Sequence, residues 1–417
     1  MDGERSWAER VYFFYEAASG FSLFVAVSAF SLFFIQRVGV SPLEFIFAGT
    51  VLEIAILLME VPTGIVADTV SRRLSIIIGL ATMGAGFGLT AVPSYPVILV
   101  GAVVWGIGFT FTSGADIAWI TDEVGEERAR PLYLRAPQLR FAATLAGLGV
   151  GAALGTIALW VPIATGAVLH GALAVVIALV MPETGFVGPG RAAAGDRNPF
   201  HAIRETVAAT RSTVRASPVL LLILAVTVTI GFGSEGIDRL WQMHLLGVGL
   251  PEGSAILWMS GTWALGLIAG AGVAEILRRR ADLHSRSGSQ RAYLGVVCVI
   301  LIGTLVLAVS PWFAVGAFAF VALTAARHAG KPVMDAWINQ GLDPRTRATV
   351  NSVAHQAHAV GELGGGPLFG AVAQWVSLSW ALAVTAISHA PAVVLLARRP
   401  GTEPAAADGS DPALAIP

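Results

Sequence analysis

Glu53, His358 and Glu362 are ionisable side chains near the middle of long apolar runs. A carboxyl withdrawn from water holds its proton more readily, and histidine titrates near neutrality. Such groups suit a proton taken up on one side of a membrane and released on the other. Glu60, Asp116 and Glu16 are three more carboxyls in such runs. The plainer alternative for each is a structural hydrogen bond to Ser, Thr or backbone. His355 and His358, at i and i+3, could share a helix face, but no clustered partners accompany them to hold a metal. Glu235, Asp238 and Arg239 could meet a substrate's charge or form an outer gate. Glu235 and Arg239, at i and i+4, could equally pair with each other. Arg327, Lys331 and Asp335 recur every four residues. Lys331 and Asp335 read as a satisfied pair, which leaves Arg327 for a carboxylate such as Glu60 or for an anion. Trp105 and Trp263 are the most deeply placed tryptophans and could line a cavity for a lipophilic ligand, although tryptophan at a span end more often anchors the membrane interface.

The elements that must position these groups are membrane helices. Of 417 residues, 55% are hydrophobic and 13% charged, against about 25% charged in soluble domains. A mean hydropathy of +0.73 points the same way. About 20 apolar residues cross a bilayer as a helix. Such runs occur at roughly 10–35, 43–66, 74–92, 96–120, 138–159 and 162–181, and again at 217–245, 252–277, 292–310, 312–338, 348–373 and 377–397. Backbone groups in hydrocarbon must be satisfied within the segment, so each run reads as a helix. The apolar run after the charged N-terminus lacks an early cleavage site and reads as a retained first helix. The single cysteine, Cys298, allows no intrachain disulfide.

The basic residues test this count. If the N-terminus is cytoplasmic, cytoplasmic segments hold 21 of the 26 Lys plus Arg, and outer loops hold Arg37 alone. That asymmetry is what the positive-inside rule requires, and it places both termini in the cytoplasm. High Ala and Gly with little Lys suits a GC-rich bacterial genome, hence a bacterial cytoplasmic membrane.

The plan is two-fold: a six-helix bundle at 1–185, a linker at 186–216, a second six-helix bundle at 217–400 and a disordered tail at 401–417. Phe200, Ile203, Val207 and Val214 of the linker are spaced for a short amphipathic helix on the membrane surface. The halves echo each other. Gly64, Asp68, Arg72 and Arg73 follow the second run. Ala271, Glu275, Arg279 and Arg280 follow the eighth at matching spacing. Parallel repeats of this kind mark secondary transporters.

The G-x-x-x-D-x-x-x-R-R stretch at 64–73, its fainter copy at 271–280 and Pro182-Glu183-Thr184 after the sixth run resemble the loop motifs of the major facilitator superfamily. The resemblance covers about 10–398 and extends to its twelve-helix drug-efflux branch. It implies an all-α membrane fold in which helices 3, 6, 9 and 12 are peripheral and the other eight surround a central cavity. The sequence map agrees: the third, sixth, ninth and twelfth runs carry no Asp, Glu, Lys or Arg. The resemblance also implies a gate in which Asp68, Arg72 and Arg73 pair across the cytoplasmic interface of the halves. Two features depart from drug:proton antiporters of that superfamily. Gly147, Gly151 and Gly155 stand in the fifth run without its central proline, and Ala102 occupies the position of an arginine before Gly106.

No Walker loop, zinc spacing or nucleophile elbow occurs, so neither an enzyme nor an ATP-driven pump is expected. The expected activity is proton-coupled efflux of small, mostly lipophilic compounds by alternating access, with no cofactor and no nucleic acid partner, by a monomer in a lipid bilayer. A facilitator or importer of a polar metabolite is the first alternative. A non-transporting receptor or assembly factor is the second.

Overall fold

The computed structural model describes residues 2–186, 217–250, 255–340 and 344–398. The amphipathic helix expected at 200–214 and the tail at 401–417 lie outside them. The first half comprises α1 (Asp2–Phe33, continued by a π-helical turn, Phe34–Val38), α2 (Pro42–Thr69), α3 (Arg72–Thr90), α4 (Tyr95–Thr112), α5 (Ala115–Val124), α6 (Glu126–Gly155) and α7 (Trp160–Val180). The second comprises α8 (Pro218–Gly247), α9 (Ala255–Arg280), α10 (Arg286–Val309), α11 (Phe313–Asn339), α12 (Pro344–Trp375), α13 (Leu378–Ile387) and α14 (Ala390–Ala397). α4 with α5, and α13 with α14, each make one broken crossing, so the chain crosses twelve times.

Ten crossings are long and apolar enough to span a membrane by themselves. The other two are α6 and α12. α6 opens with Glu126, Glu127, Arg128 and Arg130 and contains Pro131 and Pro137. The apolar pattern therefore predicts only its later part, and the helix begins twelve residues before the expected 138. Each half is a six-crossing bundle. In the first, α1 packs on α6 and α7, and α3 on α4 and α7; in the second, α8 packs on α12, and α11 on α9 and α10.

Turn chemistry ends the helices. Ser41 Oγ accepts from the Glu44 amide at 3.3 Å, the Glu44 carboxylate accepts from the Ser41 amide at 2.8 Å, and Pro42 opens α2. This is a reciprocal capping box. Ser71 and Ser377 cap α3 and α13 in the simpler way.

The helix directions define two faces. The basic face carries the N-terminus, Arg72, Arg73, Arg278 to Arg280 and Arg286; the far face carries the loop around Gly39 and the α3–α4 turn. The halves meet at the far face. A Cβ on Gly370 of α12 would lie 2.9 Å from Leu43 and 3.5 Å from the Ile46 Cβ of α2, and one on Gly366 would lie 2.9 Å from Thr50. Gly155 of α6 abuts Ile256 of α9. Phe24 of α1 and Trp263 of α9 place their rings 5.5 Å apart. Among the described residues no hydrogen bond or ion pair joins the halves at the basic face.

Candidate functional site

The separation of the halves encloses a cavity of about 980 Å³ that reaches the basic face. Its two walls differ chemically. The first half contributes mainly apolar and aromatic side chains, among them Phe30, Phe34, Leu52, Trp105 and Phe109, with Glu53 and Glu60 as its ionisable groups. The second half contributes Asp238, Arg239, Arg327, His328, Lys331, Asp335, His355, His358 and Glu362 beside Trp241, Trp263 and Phe320. Trp105 is fixed edge-on against Phe30 and Phe87, at centroid distances of 5.5 and 5.1 Å. Trp241 stacks on Phe320 at 3.7 Å.

Close helix approach sets the charged wall. Gly231 of α8 lies on the His358 carbonyl of α12, and Gly361 of α12 lies on the backbone of Val228 and Phe232. Only glycines let the two backbones approach so nearly. The contact brings His358 and Glu362 beside Glu235, Asp238 and Arg239. His358 Nδ1 is 3.4 Å from a Glu362 carboxylate oxygen. Arg239 Nε donates to Glu235 at 3.1 Å, so the pairing within α8 is the one that forms. Glu235 is buried behind the wall and does not line the cavity.

Arg327 of α11 donates through two nitrogens to both Asp238 oxygens, at 2.5 and 2.8 Å. A planar guanidinium matches a carboxylate in this bidentate way. This corrects the reading of Arg327 as free for Glu60 or an anion. Glu60 instead accepts from Ser113 Oγ at 3.0 Å. Lys331 and Asp335 both line the cavity, but no ion pair joins them among the described residues; the expected Lys331–Asp335 pair is not made.

Arg239 reaches the opposite half. Its guanidinium lies against Gly49 of α2, where a Cβ would meet it at 2.5 Å. Glu53 sits one turn further along α2. Arg239, His358 and Glu362 of the second half line the cavity together with Glu53. Two carboxylates from different halves, an arginine and a histidine thus converge near mid-depth, directly inside the far-face seal. Sequence reasoning singled out each group except Gly49. It did not foresee that they assemble across the interface.

Other expected residues lie elsewhere. Glu16 and Arg140 form a separate pair inside the first half, where Arg140 donates to Glu16 at 3.2 Å and to Ser19 at 3.1 Å; Asp116 accepts from the Ile117 amide at 2.8 Å and does not line the cavity. α6 gives no residue to the cavity, and α10 gives Tyr293, Val296 and Ile300. The inference that helix five lines the cavity and helix nine does not is corrected on both counts. The glycines of α6 serve packing: Gly147 lies on Phe21 and Gly151 on Val25 and Ser28 of α1.

The motif residues at the basic face find partners in their own half. Arg72 pairs with Asp122 at 3.0 Å and approaches Asp68 at 3.9 Å. The Glu183 carboxylate accepts from Ser71 Oγ at 2.6 Å and from the Arg73 amide at 2.9 Å. Glu275 pairs with Arg278 and Arg279 at 2.6 and 2.5 Å. Among the described residues, the expected pairing of Asp68, Arg72 and Arg73 across the halves is absent in this conformation, because the basic face is parted. Gly64 of the same motif has no atom within 4 Å of a would-be Cβ.

The sequence profile described as the Major Facilitator Superfamily matches residues 12–326. An uncharacterized MFS-type transporter, YxaM of Bacillus subtilis (strain 168), is 22% identical over 349 residues, covering 81% of this chain and 83% of its own. Among solved structures, the nucleoside transporter NupG aligns with a TM-score of 0.69 at 12% identity, over 95% of this chain and 99% of its own. A D-xylose–proton symporter aligns at 0.70 and 13%, over 95% and 98%. A bacterial homologue of the human lysosomal transporter Spinster, inward-facing and unoccupied, aligns at 0.66 and 15%, over 95% of each chain. At these identities the structural likeness speaks for the fold alone.

Proposed function

The chain belongs to the Major Facilitator Superfamily, and we propose that it is a proton-coupled exporter of small amphiphilic compounds that works by alternating access in a bacterial cytoplasmic membrane, as a monomer. One observation carries this reading: Glu53 and Glu362, from opposite halves, both line a cavity open to one face, with Arg239 of the second half seated on Gly49, one turn of α2 from Glu53. Like charges so placed repel across the very interface that must close. A proton on Glu53 relieves the repulsion. Protonation is thereby tied to the closure of the far face, as coupling requires. The basic face is the cytoplasmic one by the positive-inside rule, so the conformation described is open to the cytoplasm.

The unequal walls support the substrate class. An aromatic and aliphatic wall suits an apolar body, and the opposite wall suits a polar end. Carboxylates outnumber the Arg and Lys groups lining the cavity, which favours a positively charged end. That same polar wall supports a second reading, uptake of a polar metabolite. The two part in everted membrane vesicles with an acidic interior. Export predicts that a fluorescent lipophilic amine accumulates inside, and that a protonophore abolishes the accumulation. Accumulation no greater than in vesicles lacking the protein would overturn the proposal.

A further inference from the structure

Arg239 is held by two contacts, and neither uses its terminal edge. Nε donates to Glu235 at 3.1 Å, and Glu235 is itself buried, at 4% exposed. A Cβ built on Gly49 of α2 would lie 2.5 Å from Nη2 and 2.6 Å from both Cζ and Nε. Three atoms of one plane at nearly equal distance put that position over the flat face of the guanidinium, since an approach within the plane would leave Cζ behind the two nitrogens. The N–H bonds of a guanidinium lie in its plane, so the seat on Gly49 consumes none of them. Nη1 and Nη2 carry four N–H groups, and among the described residues none of these has an acceptor. The side chain lines the cavity and keeps 24% of its surface exposed there.

The other Lys and Arg groups of the cavity differ. Arg327 gives both terminal nitrogens to Asp238. Lys331 offers an ammonium and no planar edge. Among the described residues, Arg239 alone presents a pair of parallel N–H groups that nothing occupies. A carboxylate matches such an edge with two parallel hydrogen bonds. The edge is also fixed before anything binds, because the Glu235 bond holds the Nε side and the Gly49 backbone holds the plane. A donor fixed in advance loses little freedom on binding.

Depth orders the neighbours of this edge. α2 runs from the far face toward the basic face, so Glu53 lies one turn, about 6 Å, nearer the opening than Gly49. No ion pair joins Glu53 to Arg239 among the described residues. Gly106 of α4 packs on Leu52 and Ala55 of α2. Its neighbour Trp105 therefore stands at about the depth of Glu53 and gives an apolar surface beside the carboxyl.

We propose that the terminal edge of Arg239 is a carboxylate-binding subsite at the inner end of the cavity, and that the cargo is amphoteric: its acid meets Arg239, its amine meets Glu53, and its apolar body lies against Trp105. This rests on the reading of the cavity as the substrate site, and it narrows the cargo from lipophilic amines to those that also carry an acid several bonds from the amine. It also assigns a role to Gly49, because any side chain there would push the guanidinium off its seat.

Isothermal titration on the full chain in detergent at neutral pH tests this with two probes, 4-amino-3-phenylbutanoate and its primary amide. They share body and amine and differ in the acid alone. The acid should bind the unaltered protein about tenfold tighter, as a charge-assisted pair of hydrogen bonds implies. Gly49→Ala keeps every charge and displaces the guanidinium, so it should erase that preference by weakening the acid. Glu235→Gln with Arg239→Gln should erase it too; this variant leaves neither charge buried without its partner and covers a folding defect in the first. Trp105→Ala should weaken both probes alike. Equal affinity of acid and amide for the unaltered protein would overturn the subsite while leaving the cavity a binding site, as would a preference that survives in both variants. Failure of both probes to bind, or binding indifferent to Trp105→Ala, would instead overturn the cavity as the substrate site, and the subsite with it.

Discussion

Alternating access requires the far-face seal between α2 and α12 to open, and its geometry permits a direct lock. A Cβ built on Gly370 lies 3.5 Å from the Ile46 Cβ. A disulfide needs a Cβ separation of about 3.5–4.5 Å, so Ile46→Cys with Gly370→Cys should oxidise without moving either helix. The Leu43 side-chain tip, 2.9 Å from the same position, has room to yield because it is the end of a flexible chain. Cys298 is replaced by Ala in this background, leaving no other thiol. Once formed, the bond holds the two positions within the same short range, and the far face cannot part. Transport should fall to the fraction of molecules left uncross-linked and return on reduction. Binding from the basic face should survive, since the cavity stays open there. Val61→Cys with Ile338→Cys, on opposite walls near the parted face, should resist cross-linking in the same state. Full transport by quantitatively cross-linked protein would refute the seal as a moving part.

Gly361→Ala should destabilise the protein by about 1–3 kcal/mol through overpacking, because its methyl would sit 2.7 Å from the Phe232 amide nitrogen. Gly149→Ala, with nothing within 4 Å, should be neutral or gain up to about 1 kcal/mol from helix propensity; a denaturation midpoint in detergent lowered as far as that of Gly361→Ala would contradict this. Arg327→Ala should lower the midpoint more than Arg327→Ala with Asp238→Asn, since the single change leaves a carboxylate without its partner. In the loop after α9, the Ser285 hydroxyl and the amides of Ser285 and His284 hold the Asp282 carboxyl below the usual aspartate range. A depressed value means that its stabilisation is present above the unfolded value and is lost as pH falls through the folded one. Amide exchange at 283–289, taken relative to the intrinsic rate at each pH, should therefore rise on acidification, and Asp282→Asn should show the faster exchange already at neutral pH.

The fold was legible because two independent signals agree along the chain: apolar runs of spanning length, and basic residues in every second loop. Both are one-dimensional properties. The exceptions have local causes. α6 begins twelve residues early because its charged first turns and prolines hide it from an apolar window. The break between α4 and α5 rests on one positive-φ glycine among many glycines. The site was legible in its members, since ionisable groups are costly in a bilayer, and less so in its pairings. Asp238 and Arg327 are 89 residues apart, and the seat of Arg239 on Gly49 leaves no mark in sequence beyond one more glycine. Spacing at i and i+4 suggested both Glu235–Arg239 and Lys331–Asp335. Only the first forms, because the second pair faces an open cavity where no neighbour confines it.

The central claim is that Glu53 carries the proton whose movement drives the cycle. In proteoliposomes, Glu53→Gln separates drive from conformational change. The predicted result is loss of accumulation driven by a pH gradient, with exchange of labelled for unlabelled substrate across the membrane retained. Accumulation against a gradient by Glu53→Gln at the rate of the unaltered protein would contradict the account.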